Sequence, residues 1–158
     1  MGSSFALMAF STEMPCENDM WRAPIVSDNC NNCAICTKKC PTNAISEDNF
    51  LIDIQKCLSA INESTDDFPE WVKETAHHTP YGCLLCQANC PMNETQEIIE
   101  ISFTQEETER ILAGAPYKDA EKELKKKIKL LGLDYWPSIP RNLQVLFNAM
   151  DKGHTPKL

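Results

Sequence analysis

The stretch CNNCAICTKKCP, residues 30–41, spaces its cysteines as C-x₂-C-x₂-C-x₃-C and follows the last with proline. A second stretch, TPYGCLLCQANCPMN, residues 79–93, repeats the pattern from its second cysteine onward: Cys83, Cys86 and Cys90, then Pro91. Superposing the two runs puts Pro80 where a thiol should stand opposite Cys30. What the first run binds, and what replaces the absent thiol of the second, decide the fold.

Cys30, Cys33, Cys36 and Cys40 lie too close together for one tetrahedral zinc, whose ligands usually come as two pairs across a longer spacer. A tight loop with a cysteine every third residue suits a [4Fe–4S] cube. Three thiolates take three iron corners, and the fourth, set back one residue and followed by proline, points away to a second cube. Soft thiolates match iron–sulfur clusters, and cluster binding keeps them deprotonated.

The 158 residues make one domain, or one compact domain with an appendage. Eight of the nine cysteines fall between residues 30 and 90. The opening MGSSFALMAF is apolar but has neither a basic n-region nor a cleavage site, and it is too short to span a bilayer. The expected location is therefore cytoplasmic, without membrane contact, where cysteines are more often metal ligands or catalysts than disulfides. A net charge of −8 argues against nucleic acid as a partner. The one basic cluster, KELKKKIK at residues 122–129, reads as a solvated helix face. Acidity suits a small electron carrier docking on a basic partner, and equally suits plain solubility.

After Cys40, Ala44-Ile45 and Phe50-Leu51-Ile52 flank the turn-forming Ser46-Glu47-Asp48-Asn49, a small β-hairpin signal whose second strand runs into Cys57. In two-cluster bacterial ferredoxins, such a hairpin leads directly into the first cysteine of the second run. That resemblance gives the role to Cys57, with residues 58–82 inserted before the next ligand. It implies that Cys30, Cys33, Cys36 and Cys90 hold one cluster, and Cys40, Cys57, Cys83 and Cys86 the other, Cys40 and Cys90 each crossing to the opposite site. Cys16 is left over as a free thiol. Ile35, Ile45, Ile54, Leu84 and Leu85 are the expected apolar shield. Potentials between about −700 and +450 mV are open to such clusters.

The order GS near the start, CPTNAI closing the first run, QKCLSAINES, and then YGCLLCQANCPMN resembles epoxyqueuosine reductase, whose relatives include the reductive dehalogenases. The likeness covers residues 1–95 and is most specific at 28–57 and 81–93. It implies a C-terminal two-cluster ferredoxin module that passes electrons to a corrinoid held by an N-terminal α/β domain. Only a short segment precedes Cys30 here, with no Gly-rich phosphate loop. No catalytic residue is therefore carried over, and a corrinoid is expected only through a missing domain or a partner protein. The chain reads as an excised C-terminal module or a stand-alone relative. Its expected partners are a corrinoid-binding acceptor and a ferredoxin- or flavodoxin-like donor. The alternative is an interaction module in which clusters or zinc are structural staples.

The insertion is acidic, and Phe68-Pro69-Glu70-Trp71-Val72 reads as a helix start with Phe68 and Trp71 packing on the cluster domain. His77-His78 reads as an exposed pair at that helix's end, ahead of a ligand role. Beyond Pro91 the pattern turns helical. NETQEIIEIS is a short amphipathic piece, and Thr104 with Glu107 makes a capping box before a helix stopped by Gly114. A stripe of Ala120, Leu124, Ile128 and Leu131 ends at Gly132, and a last helix turns Leu143, Leu146, Phe147 and Met150 inward up to Gly153. The expected fold class is α+β: a lead-in at 1–27, a ferredoxin-like domain at 28–95 with its insertion at 58–82, and a helical cap at 96–158.

Overall fold

The computed structural model describes residues 8–15, 23, 25, 27–47, 51–94, 100–131 and 136–155. Six α-helices run in chain order: α1 (Ile35–Lys39), α2 (Leu58–Glu63), α3 (Leu85–Ala88), α4 (Gln105–Leu112), α5 (Lys122–Leu130) and α6 (Ile139–Asp151). Short 3₁₀ turns lie at Glu74–Ala76, Tyr117–Asp119 and Trp136–Ser138. Cys16, Gly132, Tyr135 and most of the expected amphipathic piece after Asn93 fall outside the described residues.

α1 and α3 are the short helices of the two cysteine runs, and they pack on each other. α1 stops at Cys40, because the residue before Pro41 is pushed out of the helical region, and α3 ends at Ala88, just ahead of Cys90 and Pro91. The expected hairpin reduces, among the described residues, to one antiparallel bridge between Ile45 and Ile52. It is flanked by bonds from Ser46 N to Leu51 O (3.0 Å) and Asp53 N to Ala44 O (2.7 Å). Leu51 and Ile52 are well exposed, so nothing packs on the pair to lengthen it.

Most of the apolar core lies in the C-terminal helices. The capping box forms as read: Glu107 N donates to Thr104 Oγ1 (3.2 Å) and Thr104 N to Glu107 Oε2 (2.7 Å). Gly114, at φ +68°, ends that helix. Ile111 from α4, Ala120, Leu124 and Ile128 around α5, Trp136, and Ile139 from α6 form the core, with Phe103 and Leu143 against it. Tyr81 joins them from the second cysteine run, so cap and cluster loops share one apolar interior. The Trp136 indole satisfies its N–H on Ala115 O at 2.9 Å.

Three expectations change. Leu131 and Met150 are exposed, and the face of α6 that is buried carries Ile139, Asn142, Leu146 and Ala149. Residues 68–78 form no α-helix: Val72 N bonds Pro69 O to close a turn, and one 3₁₀ turn follows. Phe68 instead lies under the Arg141 guanidinium, whose Cζ is 4.0 Å from the ring centroid, while Trp71 is half exposed.

Candidate metal centres

The two cysteine runs fold alike because their backbones do the same thing at equivalent positions. Ala34 after Cys33 and Leu84 after Cys83 both sit in the left-handed region, at φ 49° and 56°. That conformation reverses the chain sharply between the first and second cysteine of each C-x₂-C. A short helix then carries Cys36 or Cys86. The exits match as well: Cys40 N bonds Thr37 O (3.3 Å), and Cys90 N bonds Gln87 O (3.1 Å). With α1 against α3, the repeats face each other, and each run's last cysteine can reach its neighbour's site.

The first site is a cavity of about 250 Å³ lined by Cys30, Cys33, Cys36 and Cys90, with Ala34, Ile35, Pro91 and Met92 in its walls. Cys90 therefore crosses from the second run to the first. A zinc ion with thiolates at about 2.3 Å needs far less room. Among the described residues no three Cys, His, Asp or Glu side chains converge tightly enough for a single metal ion. A cube, with irons and sulfides between the thiolates, is the group that fits.

The second site shows itself electrostatically. Burial pushes the Cys86 thiol above its ordinary pKa, and charge on Cys83, Cys57 and Cys40 pushes it further. Cys57, from before the insertion, and Cys40, from the first run, thus both lie near enough to Cys86 for their charge to act on it. Cys40 moves the other way. Burial raises it, but hydrogen bonds from the Thr42 and Ala44 backbones, the Thr42 hydroxyl and the Ile45 backbone outweigh that and hold it low. Ala44 N lies 3.2 Å and Thr42 Oγ1 3.7 Å from its sulfur. All eight cysteines of the two runs and Cys57 are half-buried and free of disulfides. Of the expected shield, Ile35, Ile45 and Leu85 are half-buried, whereas Ile54 and Leu84 are 65% and 59% exposed.

The histidine pair is not the exposed pair of the sequence reading. His77 is 1% exposed, its ring tilted edge-on to Phe68 at 4.4 Å. Burial, then the Arg141 charge, lowers its pKa to about 4. His78 turns to the second site: Nε2 lies 2.9 Å from Cys83 O and Nδ1 3.2 Å from Ala76 O. A hydrogen bond with the Cys83 side chain, with those carbonyls, raises its pKa to about 9 against the opposing effect of burial. Both ring nitrogens thus lie against backbone carbonyl oxygens.

Sequence reading missed the polar knot behind this site. Asn62 and Asn142 are fully buried. Asn142 Nδ2 donates to Asn62 O (2.7 Å) and Pro80 O (2.9 Å), while Asn62 Nδ2 donates to Gly82 O (2.7 Å). Arg141 Nη2 donates to Ile61 O (2.8 Å) and to Asn142 Oδ1 (2.9 Å). The available signal was an asparagine at helical spacing from Ile139, Leu146 and Ala149 on an otherwise apolar stripe.

Residues 29–93 match the family described as "4Fe-4S double cluster binding domain". Among curated proteins the chain is 38% identical over 76 residues to an epoxyqueuosine reductase of Aliivibrio fischeri, covering 48% of this chain and 20% of that protein. It is 37% identical over 93 residues to one of Cyclobacterium marinum (58% and 29%). To one of Bacillus subtilis it is 31% identical over 96 residues (61% and 24%). The chain thus spans between a fifth and a third of the length of these relatives. No solved structure gives a significant match. Among the described residues no helix is long and apolar enough to cross a membrane.

Proposed function

We infer, from a chain whose residues 29–93 are a 4Fe–4S double cluster binding domain of the kind carried by epoxyqueuosine reductases, that it relays single electrons to a corrinoid-binding acceptor domain or protein. The two [4Fe–4S] clusters supply one-electron redox chemistry. Cys30, Cys33, Cys36 and Cys90 would hold one, and Cys40, Cys57, Cys83 and Cys86 the other. The observation that carries this reading is the cavity ringed by three thiols of the first run and the crossing thiol of the second. The mutual influence of Cys86, Cys83, Cys57 and Cys40 supports the second quartet.

This chain's residues would do three things around the electrons. The thiolates fix the two sites side by side through the α1–α3 contact. The N–H groups of Thr42 and Ala44 and the Thr42 hydroxyl donate toward Cys40 sulfur, favouring the more reduced state on that side. The walls of Ile35, Pro91 and Met92 limit water at the other. We assign residues 28–95 to the cluster domain and 96–158 to a helical cap that supplies its burial. The donor would be ferredoxin- or flavodoxin-like.

Anaerobic reconstitution should give about eight irons and eight sulfides per chain, set by the ligand count. Dithionite should then produce electron-resonance signals, and mixing with a cobalamin-loaded acceptor should reoxidise them as the corrinoid's absorption shifts. A preparation holding only zinc removes the reading. Clusters that form but neither reduce reversibly nor discharge into any acceptor would make them staples of an interaction module.

A further inference from the structure

We propose that Asn62, Arg141 and Asn142 are positioning residues for the second site: a buried clamp, closed by the cap, that brings Cys57 and Cys83 together across the insertion. The inference rests on the two-cluster reading above. In the chain, residues 58–82 separate these two cysteines, so proximity along the sequence cannot place them. Something must hold the two ends of the insertion, and the structure assigns that task to the start of α6.

The contacts fall on the two flanks of the insertion. On the near side, Cys57 caps α2, with Ile61 N bonded to Cys57 O at 3.0 Å, so wherever Ile61 and Asn62 are fixed Cys57 is fixed through one turn of helix. Arg141 grips Ile61 O and Asn142 grips Asn62 O. On the far side, Gly82 adjoins Cys83. Asn62 Nδ2 grips Gly82 O, and the same Asn142 amide that holds Asn62 also holds Pro80 O. One side chain of α6 therefore bonds both ends of the insertion at once. The Asn142 carbonyl is occupied by Arg141, which orients the amide so that its nitrogen faces the two carbonyls.

The placement explains why two asparagines lie fully buried where apolar side chains would pack as well. Pro80, the residue that replaces a ligand in the second run, serves the clamp through its carbonyl instead. In the first site Cys30, Cys33 and Cys36 follow one another within seven residues, so no insertion has to be bridged between them. The clamp therefore acts on one cluster and leaves the other alone.

The test is an Asn142→Ala variant of the full chain, reconstituted beside wild type, Cys57→Ser and Cys30→Ser. Its iron content should fall from about eight toward about four per chain, and its electron-resonance spectrum should match that of Cys57→Ser, not Cys30→Ser. Where both clusters still load, a chelator should strip half of the iron at least tenfold faster than in wild type. Thr104→Ala, which removes the cap of α4 and whose bonds run only to Glu107 and Thr108, is the control. It should lower the melting temperature yet keep wild-type iron and release rates. Should Asn142→Ala not purify, Asn142→Ser reads the same quantities. Wild-type loading and release in the Asn142 variant overturn the clamp, as does equal, unselective loss in Thr104→Ala. Wild type without two clusters removes the underlying reading instead.

Discussion

Thr42 and His77 show how single side chains set the properties of this molecule. The Thr42 hydroxyl lies 3.7 Å from Cys40 sulfur, a distance at which a donor stabilises negative charge on a thiolate. Thr42→Val should make the second cluster harder to reduce. A bond of about 1 kcal/mol corresponds to a drop of roughly 40 mV for one electron, and a redox titration followed by electron resonance should find the first cluster unmoved. His77 is buried with its Nδ1 unpartnered. Its pKa, about 4 when folded, lies below the ordinary value near 6.5, so the unfolded chain takes up the proton first. The proton-linked cost of His77 is therefore small above about pH 6.5, and stability is lost as pH falls from there toward 4. At pH 5.5 that loss is about 1.4 kcal/mol. His77→Phe should reduce the difference in unfolding free energy, from urea melts at pH 7.5 and 5.5, by about that amount. Arg141, His78 and Glu74 all act on this ring, with Glu74 opposing the shift. The pair His77-His78 was legible only as a doublet. Which ring goes inward depends on Phe68 and Arg141, and the latter is far away in sequence.

At the level of elements, the helices whose signals are local came through most faithfully. The Thr104–Glu107 box lies within one turn and forms as read, and α5 buries Leu124 and Ile128 as its spacing requires. Glu107 also meets Lys127 of α5 at 2.6 Å, so the capping carboxylate joins two helices. Its hydrogen bond to Lys127, with the Thr104 backbone bond, holds its pKa below the usual carboxylate value. The stabilisation is present above that usual value and lost as pH falls through the lowered one. Thr104→Ala should cost about 1 kcal/mol, seen as a reduced denaturant midpoint with unchanged slope. The elements that departed from expectation are those without local support. The hairpin has too little to pack on, and the segment after Pro69 follows the pull of α6 rather than its own weak helix signal. Leu131 and Met150 lie at the margins of stripes whose centres are correct.

Across the whole molecule, the insertion poses the largest problem of order. Joining the ends of residues 58–82 costs roughly 2 kcal/mol more than the two-residue spacing it replaces, on the (3/2)RT ln n scaling. Each bond of the buried knot contributes about 1 kcal/mol, enough together to offset that cost before any ligand arrives. The cysteine pattern made the double cluster domain legible, because cluster chemistry leaves its spacing in the sequence. The knot left no such trace, since Asn62 and Asn142 meet through tertiary packing alone.

The shared interior of cap and cluster loops has an optical consequence. Trp136 is 9% exposed and packs in the same core as Tyr81, which lies two residues before Cys83. Its blue-shifted fluorescence should be dim while the visible-absorbing cofactors are present and brighten as they are bleached by oxygen. With Trp21→Phe and Trp71→Phe silencing the other two indoles, emission at a single wavelength would track cofactor loss in real time.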